Sequence, residues 1–102
     1  MSSDPLDALQ EWYAAQCDGD WEHQFGVTVD TLDNPGWTLR VDLTGTPLEA
    51  LEQPRIDVER TENDWIECWT EQGTFNGAGG PRNLTELLRA FERFADRNAN
   101  PS

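Results

Sequence analysis

Apolar residues recur along this chain first at helical spacing, then at strand spacing, then at helical spacing again. Leu6, Leu9, Trp12, Tyr13 and Gln16 fall three and four residues apart, with Asp7 and Glu11 on the other side, which predicts an amphipathic helix. Asp4 and Pro5 supply its N-cap and first helical residue, and the helix should stop near Gln16, before Asp18-Gly19. From Trp21 the period falls to two. His23, Phe25, Val27 and Val29 share one face and Gln24, Thr28 and Asp30 the other, as in a half-buried strand. Asp33-Asn34-Pro35-Gly36 predicts a type II turn with Pro35 and Gly36 at its centre. Trp37, Leu39, Val41 and Leu43 then alternate with Thr38, Arg40 and Asp42 and complete a hairpin.

Gly45-Thr46-Pro47 breaks the second strand, and Leu48 to Gln53 reads as a loop or a single helical turn. Ile56 and Val58 alternate with Asp57 and Glu59 in a third strand, and Trp65 to Glu71 forms a fourth after a turn at Glu62-Asn63-Asp64. The fourth has two competing phases: Trp65 and Trp69 favour one face, Ile66 and Cys68 the other. Gly73, Gly77, Gly79, Gly80 and Pro81 predict a flexible connection. Asn83 and Glu86 then have capping-box spacing, and Leu84, Leu87, Leu88, Phe91, Phe94 and Ala95 form the stripe of a last helix whose tail frays from Asn98. The order helix, four strands, helix predicts an α+β fold, a four-stranded mainly antiparallel sheet with an N-terminal and a C-terminal helix packed on it. With 102 residues the chain fits one domain, 1–102, with an ordered core over about 5–97.

Charge changes the picture. There are 20 acidic residues against 7 arginines and no lysine, net −13. Residues 1–54 hold 11 of the acids against Arg40 alone, whereas residues 82–102 hold 3 acids against four arginines. Such a field repels nucleic acid and anionic membrane and attracts basic partners. The two cysteines do not make a disulfide framework. Met1-Ser2-Ser3-Asp4 lacks the basic start and apolar run of a signal peptide, which predicts a cytoplasmic chain.

Chemistry concentrates in Gln16-Cys17-Asp18-Gly19-Asp20-Trp21-Glu22-His23, which brings three carboxylates, an indole, the lone histidine and one of the cysteines together. A nucleophilic thiolate needs a positive field or an oriented base, and Cys17 has acidic neighbours with His23 unsupported. A metal site from Cys17, His23, Cys68 and a carboxylate lacks paired ligand spacing, and Asp18-Gly19-Asp20 lacks the rest of a calcium loop. Gly77-Ala78-Gly79-Gly80 lacks the lysine and hydroxyl of a phosphate loop. No catalytic residue, metal or cofactor is therefore expected. Trp21 either plugs the edge of the core or faces a partner.

Several segments together resemble the immunity protein 53 family of bacterial polymorphic toxin systems. They are Leu9-Gln10-Glu11-Trp12-Tyr13, the run Gln16 to His23, Thr31-Leu32-Asp33-Asn34-Pro35-Gly36-Trp37, Asn63-Asp64-Trp65 with Cys68, Phe75-Asn76-Gly77-Ala78-Gly79 and the closing helix. Gly80 departs from the pattern, which leads one to expect an acidic residue before the proline. The resemblance implies a non-enzymatic protein that binds a cognate toxin, and the negative field argues against nucleic acid or membrane as partner. The acidic surface suits a basic toxin, the nucleic-acid-cleaving kind included. Expected contacts are Asp18, Asp20, Glu22 and Asp33 at one end of the sheet, Trp21 among them, and Asp30 and Asp42 on the exposed face of the hairpin. Asp18 has an equal claim to capping backbone amides in the turn. Two alternatives remain open: a small enzyme or ligand-binding domain using Cys17 and His23, and a stand-alone acidic mimic of nucleic acid.

Overall fold

The computed structural model describes residues 4–99. Helix α1 spans Pro5–Gln16 and opens as its sequence dictates, with the Asp4 carboxylate accepting a hydrogen bond from the Leu6 N–H at 2.9 Å. A four-residue helix α2, Trp21–Gln24, stands where a strand was expected. Its cause is local. Asp18 and Glu22 satisfy the backbone N–H groups of the turn and hold it helical, so the chain becomes extended only at Phe25. Strand β1 is therefore Val27–Leu32.

β1 pairs antiparallel with β2, Gly36–Asp42, from Val27 opposite Val41 to Leu32 opposite Gly36. The expected type II turn is not formed: Gly36 lies in the strand and has no left-handed φ. A Cβ at that position would run into the Gly79 carbonyl oxygen, so a close strand approach is what requires glycine. β3 is Ile56–Thr61 and β4 Asp64–Glu71, with a register shift in β3 between Glu59 and Thr61.

The sheet has five strands, not four. Thr74–Gly79, expected to lie in a flexible connection, is strand β5, and it sits at the centre of the order β1-β2-β5-β4-β3, every pair antiparallel. Its residues alternate as strictly as any, with Phe75, Gly77 and Gly79 on the helix side and Thr74, Asn76 and Ala78 on the other. The glycines are inward residues without side chains. A Cβ on Gly77 would stand 3.2 Å from Leu87 Cδ2, and one on Gly79 3.1 Å from Asn83 Cβ. They let the last helix lie close against the middle of the sheet.

That helix, α3, is Leu84–Ala99; the remainder of the tail expected to fray, residues 100–102, lies outside the described residues. Asn83 precedes it in a form different from a capping box. Its Nδ2 donates to Glu86 at 2.9 Å and to Asp64 at 3.0 Å, and Arg60 bridges the same two carboxylates. The cluster ties the β3–β4 turn to the start of α3. Leu87, Leu88, Phe91 and Phe94 pack on Leu39, Val41, Ile66, Cys68 and Phe75, and rings of Phe75, Phe91 and Phe94 lie 5.1–6.1 Å apart. Ile66 and Cys68 take the core side of β4, which settles its phase. α1 rides chiefly on α3, through Leu9 and the contact of Trp12 with Phe91. It buries a narrow stripe, so Leu6 and Tyr13, expected on its apolar face, stay exposed.

Candidate partner-binding surface

With α3 packed on one side of the sheet and α1 on α3, the other side is left open. Reading the register outward, that open face carries Thr28, Asp30 and Leu32 from β1, Thr38, Arg40 and Asp42 from β2, and Thr74, Asn76 and Ala78 from β5. It continues with Trp65, Glu67, Trp69 and Glu71 from β4 and Asp57 and Glu59 from β3. All of them are half-buried or exposed. Six carboxylates, those of Asp30, Asp42, Asp57, Glu59, Glu67 and Glu71, thus share a surface with Arg40 and the flanking Arg55. Arg89, Arg93 and Arg97 ride on α3, in the layer on the other side of the sheet. There Glu86, Glu92 and Asp96 balance them, so α3 is neutral while the open face is net negative.

The expected contact residues divide into two kinds. Asp18 Oδ1 accepts from the N–H groups of Trp21 at 3.0 Å and Asp20 at 2.9 Å, and these bonds hold its carboxyl below the usual carboxylate range. Both Glu22 carboxylate oxygens accept from Asp18 and Gly19 N–H groups at 2.9 Å. Gly19 has φ +97°, a conformation that L side chains resist, so the turn needs glycine there. Trp21 is 7% exposed, and its indole N–H donates to the Thr44 carbonyl at 2.9 Å. It closes the end of the core against Trp12, Tyr13 and Phe25. Asp18, Trp21 and Glu22 therefore build the turn.

Asp42 lies on the open face and also accepts the Gly26 N–H at 2.9 Å, fixing the entry to β1. Asp30 accepts only the adjacent Thr31 N–H. Asp20 and Asp33 are exposed, and their carboxylates make no hydrogen bond or ion pair among the described residues. They do not share an end of the sheet as expected. Asp20 precedes Trp21, beside the end of β2, whereas Asp33 sits in the β1–β2 turn, the length of a six-residue strand away, roughly 20 Å.

Sequence reasoning passed over Trp65 and Trp69 and the carboxylates beside them. Arg55 lies over the Trp69 ring at 4.4 Å and bonds Glu67 at 3.0 Å, while the Trp69 N–H donates to Glu71 at 3.2 Å. Their signal was the second phase of β4: a tryptophan pair on the side that no apolar residue of β3 supports.

Cys17 Sγ donates to the Tyr13 carbonyl at 3.3 Å, and His23 is exposed on α2 with no hydrogen bond to it. Cys68 is fully buried, and burial pushes its thiol up to about 11, so it stays a protonated core residue. Among the described residues no group of three or more His, Cys, Asp or Glu is arranged to hold a metal ion. No helix there is long and apolar enough to cross a membrane.

No curated protein and no solved structure matches this chain. A family model, Immunity protein 53, matches residues 6–96. With nearly its whole length matched and with this surface left open on one side of its sheet, the chain belongs to the immunity protein 53 family.

Proposed function

We propose that this chain neutralises its cognate toxin by laying the open, acidic face of its sheet over a basic working surface on that toxin. Membership of the family makes the chain an immunity protein with a toxin as its partner, and such proteins are in general not enzymes. The observation that supports the mode of binding is an uncovered sheet face rich in carboxylates. Six carboxylates stand on a face without a covering element, against only Arg40 and the flanking Arg55. A face of that sign speeds encounter with a positive surface and is screened by salt. Toxins that cleave nucleic acid bind a polyanion and so present such surfaces, in keeping with a place for this chain in a polymorphic toxin system, acting in the cytoplasm of the producer or its sibling. Asp30 and Asp42 belong to the contact, with Asp20 and Asp33 at its two ends. Asp18, Trp21 and Glu22 contribute by holding the turn.

The test is stopped-flow association with the cognate toxin between about 50 mM and about 500 mM salt, for the parent and for Asp30→Lys plus Glu71→Lys. The parent rate should fall steeply with salt, and the double variant should associate about ten-fold more slowly at low salt. A rate indifferent to both would refute this surface.

A further inference from the structure

Two tryptophans stand on the open face four residues apart on β4, and only one of them is occupied. Trp69 lies opposite Arg55, one step beyond the Ile56–Cys68 pair, and that guanidinium sits 4.4 Å over its ring with one nitrogen 3.0 Å from Glu67. The chain thus displays, in its own residues, a seat for a guanidinium: an indole floor and a carboxylate wall. Trp65 lies opposite Glu59 instead. Around it Asp57, Glu59, Glu62 and Glu67 line a cleft of about 220 Å³ with no cation in the lining. The nearest arginine in sequence, Arg60, is bound to Asp64 and Glu86. The Trp65 indole N–H has no hydrogen-bond partner among the described residues, unlike those of Trp21, Trp37 and Trp69.

Resting on the reading that the open face meets the toxin, we propose that the Trp65 cleft receives an arginine side chain of that toxin, stacked on the indole as Arg55 is on Trp69. Three features select this occupant. The carboxylates call for a cation. They do not converge as the ligands of a metal ion do. The flat floor favours a planar guanidinium, which stacks on an aromatic face and offers a fork of donors to the flanking carboxylates, over a compact ammonium. Four residues of strand put this seat roughly 13 Å from the filled one. The toxin therefore inserts its arginine beside a fixed positive group, and Glu67, shared between the seats, balances both.

The test titrates the intact chain with a capped tri-arginine peptide and a capped tri-lysine peptide at the same ionic strength, read by the indole N–H resonances. The arginine peptide should move the Trp65 resonance more than that of Trp69, and bind about two- to five-fold more tightly than the lysine peptide. Trp65→Leu, shown folded by its melting temperature, should erase that preference. In the complex, where the seat is dry, the same variant should weaken toxin binding about thirty-fold. Equal binding of the two peptides, or a preference that survives Trp65→Leu, overturns the proposal. A toxin that binds Trp65→Leu normally but fails on Asp30→Lys plus Glu71→Lys also removes the arginine seat while leaving the face. Indifference to both sets of variants removes both.

Discussion

Trp21→Phe separates scaffold from contact in the turn between α1 and β1. The indole N–H that donates to the Thr44 carbonyl at 2.9 Å is lost, which costs on the order of 1 kcal/mol net. Phenylalanine also leaves part of the indole's place empty, between Trp12, Tyr13 and Phe25, for about 1 kcal/mol more. Together these give about 2 kcal/mol, or a melting temperature about 8–16 °C lower in a domain of this size. Thermal unfolding followed by circular dichroism reads this directly. Toxin affinity, measured well below the transition, should be that of the parent, because the ring is 7% exposed and faces inward. A melting temperature unchanged within about 2 °C, together with lost toxin binding, would make Trp21 a contact and refute the assignment.

Acid should weaken the fold through two carboxyls. The Arg60 guanidinium, with the Asn83 amide, holds the Asp64 carboxyl below its ordinary range, and the Trp21 and Asp20 N–H groups do the same for Asp18. A carboxyl lowered in the folded state adds stability that is complete above its unfolded value and is lost as pH falls through the folded one. The urea midpoint should therefore hold from about pH 7 to about pH 5 and drop below about pH 4. Asp64→Asn and Asp18→Asn should each flatten that acid limb, and equal steepness in the variants would contradict the assignment. Gly77→Val tests the centre of the sheet. Its Cβ would stand 3.2 Å from Leu87 Cδ2 and 3.7 Å from Leu39 Cβ, so overpacking should lower stability by about 1–3 kcal/mol in urea titration. A neutral or stabilising result would fit a mobile connection, not a strand.

The fold was legible wherever periodicity and end signals agreed. Asp4-Pro5 and the spacing of Leu9 and Trp12 mark α1, and the alternation from Trp37 to Leu43 marks β2. Two elements escaped for different physical reasons. In β5 the inward positions 77 and 79 are glycines, so a buried strand shows the composition of a loop, and only Phe75 hints at its inner face. At Trp21 the apolar alternation was real, but Asp18 and Glu22 satisfy backbone donors nearby and turn the segment helical before pairing begins. The surface was half legible. Asp30 and Asp42 could be put on the outside of a hairpin from their phase alone. Trp65 and Trp69 could not, because a tryptophan in a strand reads as core until the register shows Ile66 and Cys68 holding that side.

The alternation along the central strands has one further consequence. In the central strands β2, β5 and β4 every second residue faces the core and the ones between face the open side, so most positions of that side are free of the packing that folds the chain. Thr28, Thr38, Asn76 and Ala78 can be exchanged for other outward side chains while Leu39, Val41, Cys68 and Phe75 stay as they are. On the proposal that this face meets the toxin, a lineage of such chains would follow an altered toxin by rewriting the face while the core that folds the chain stays the same.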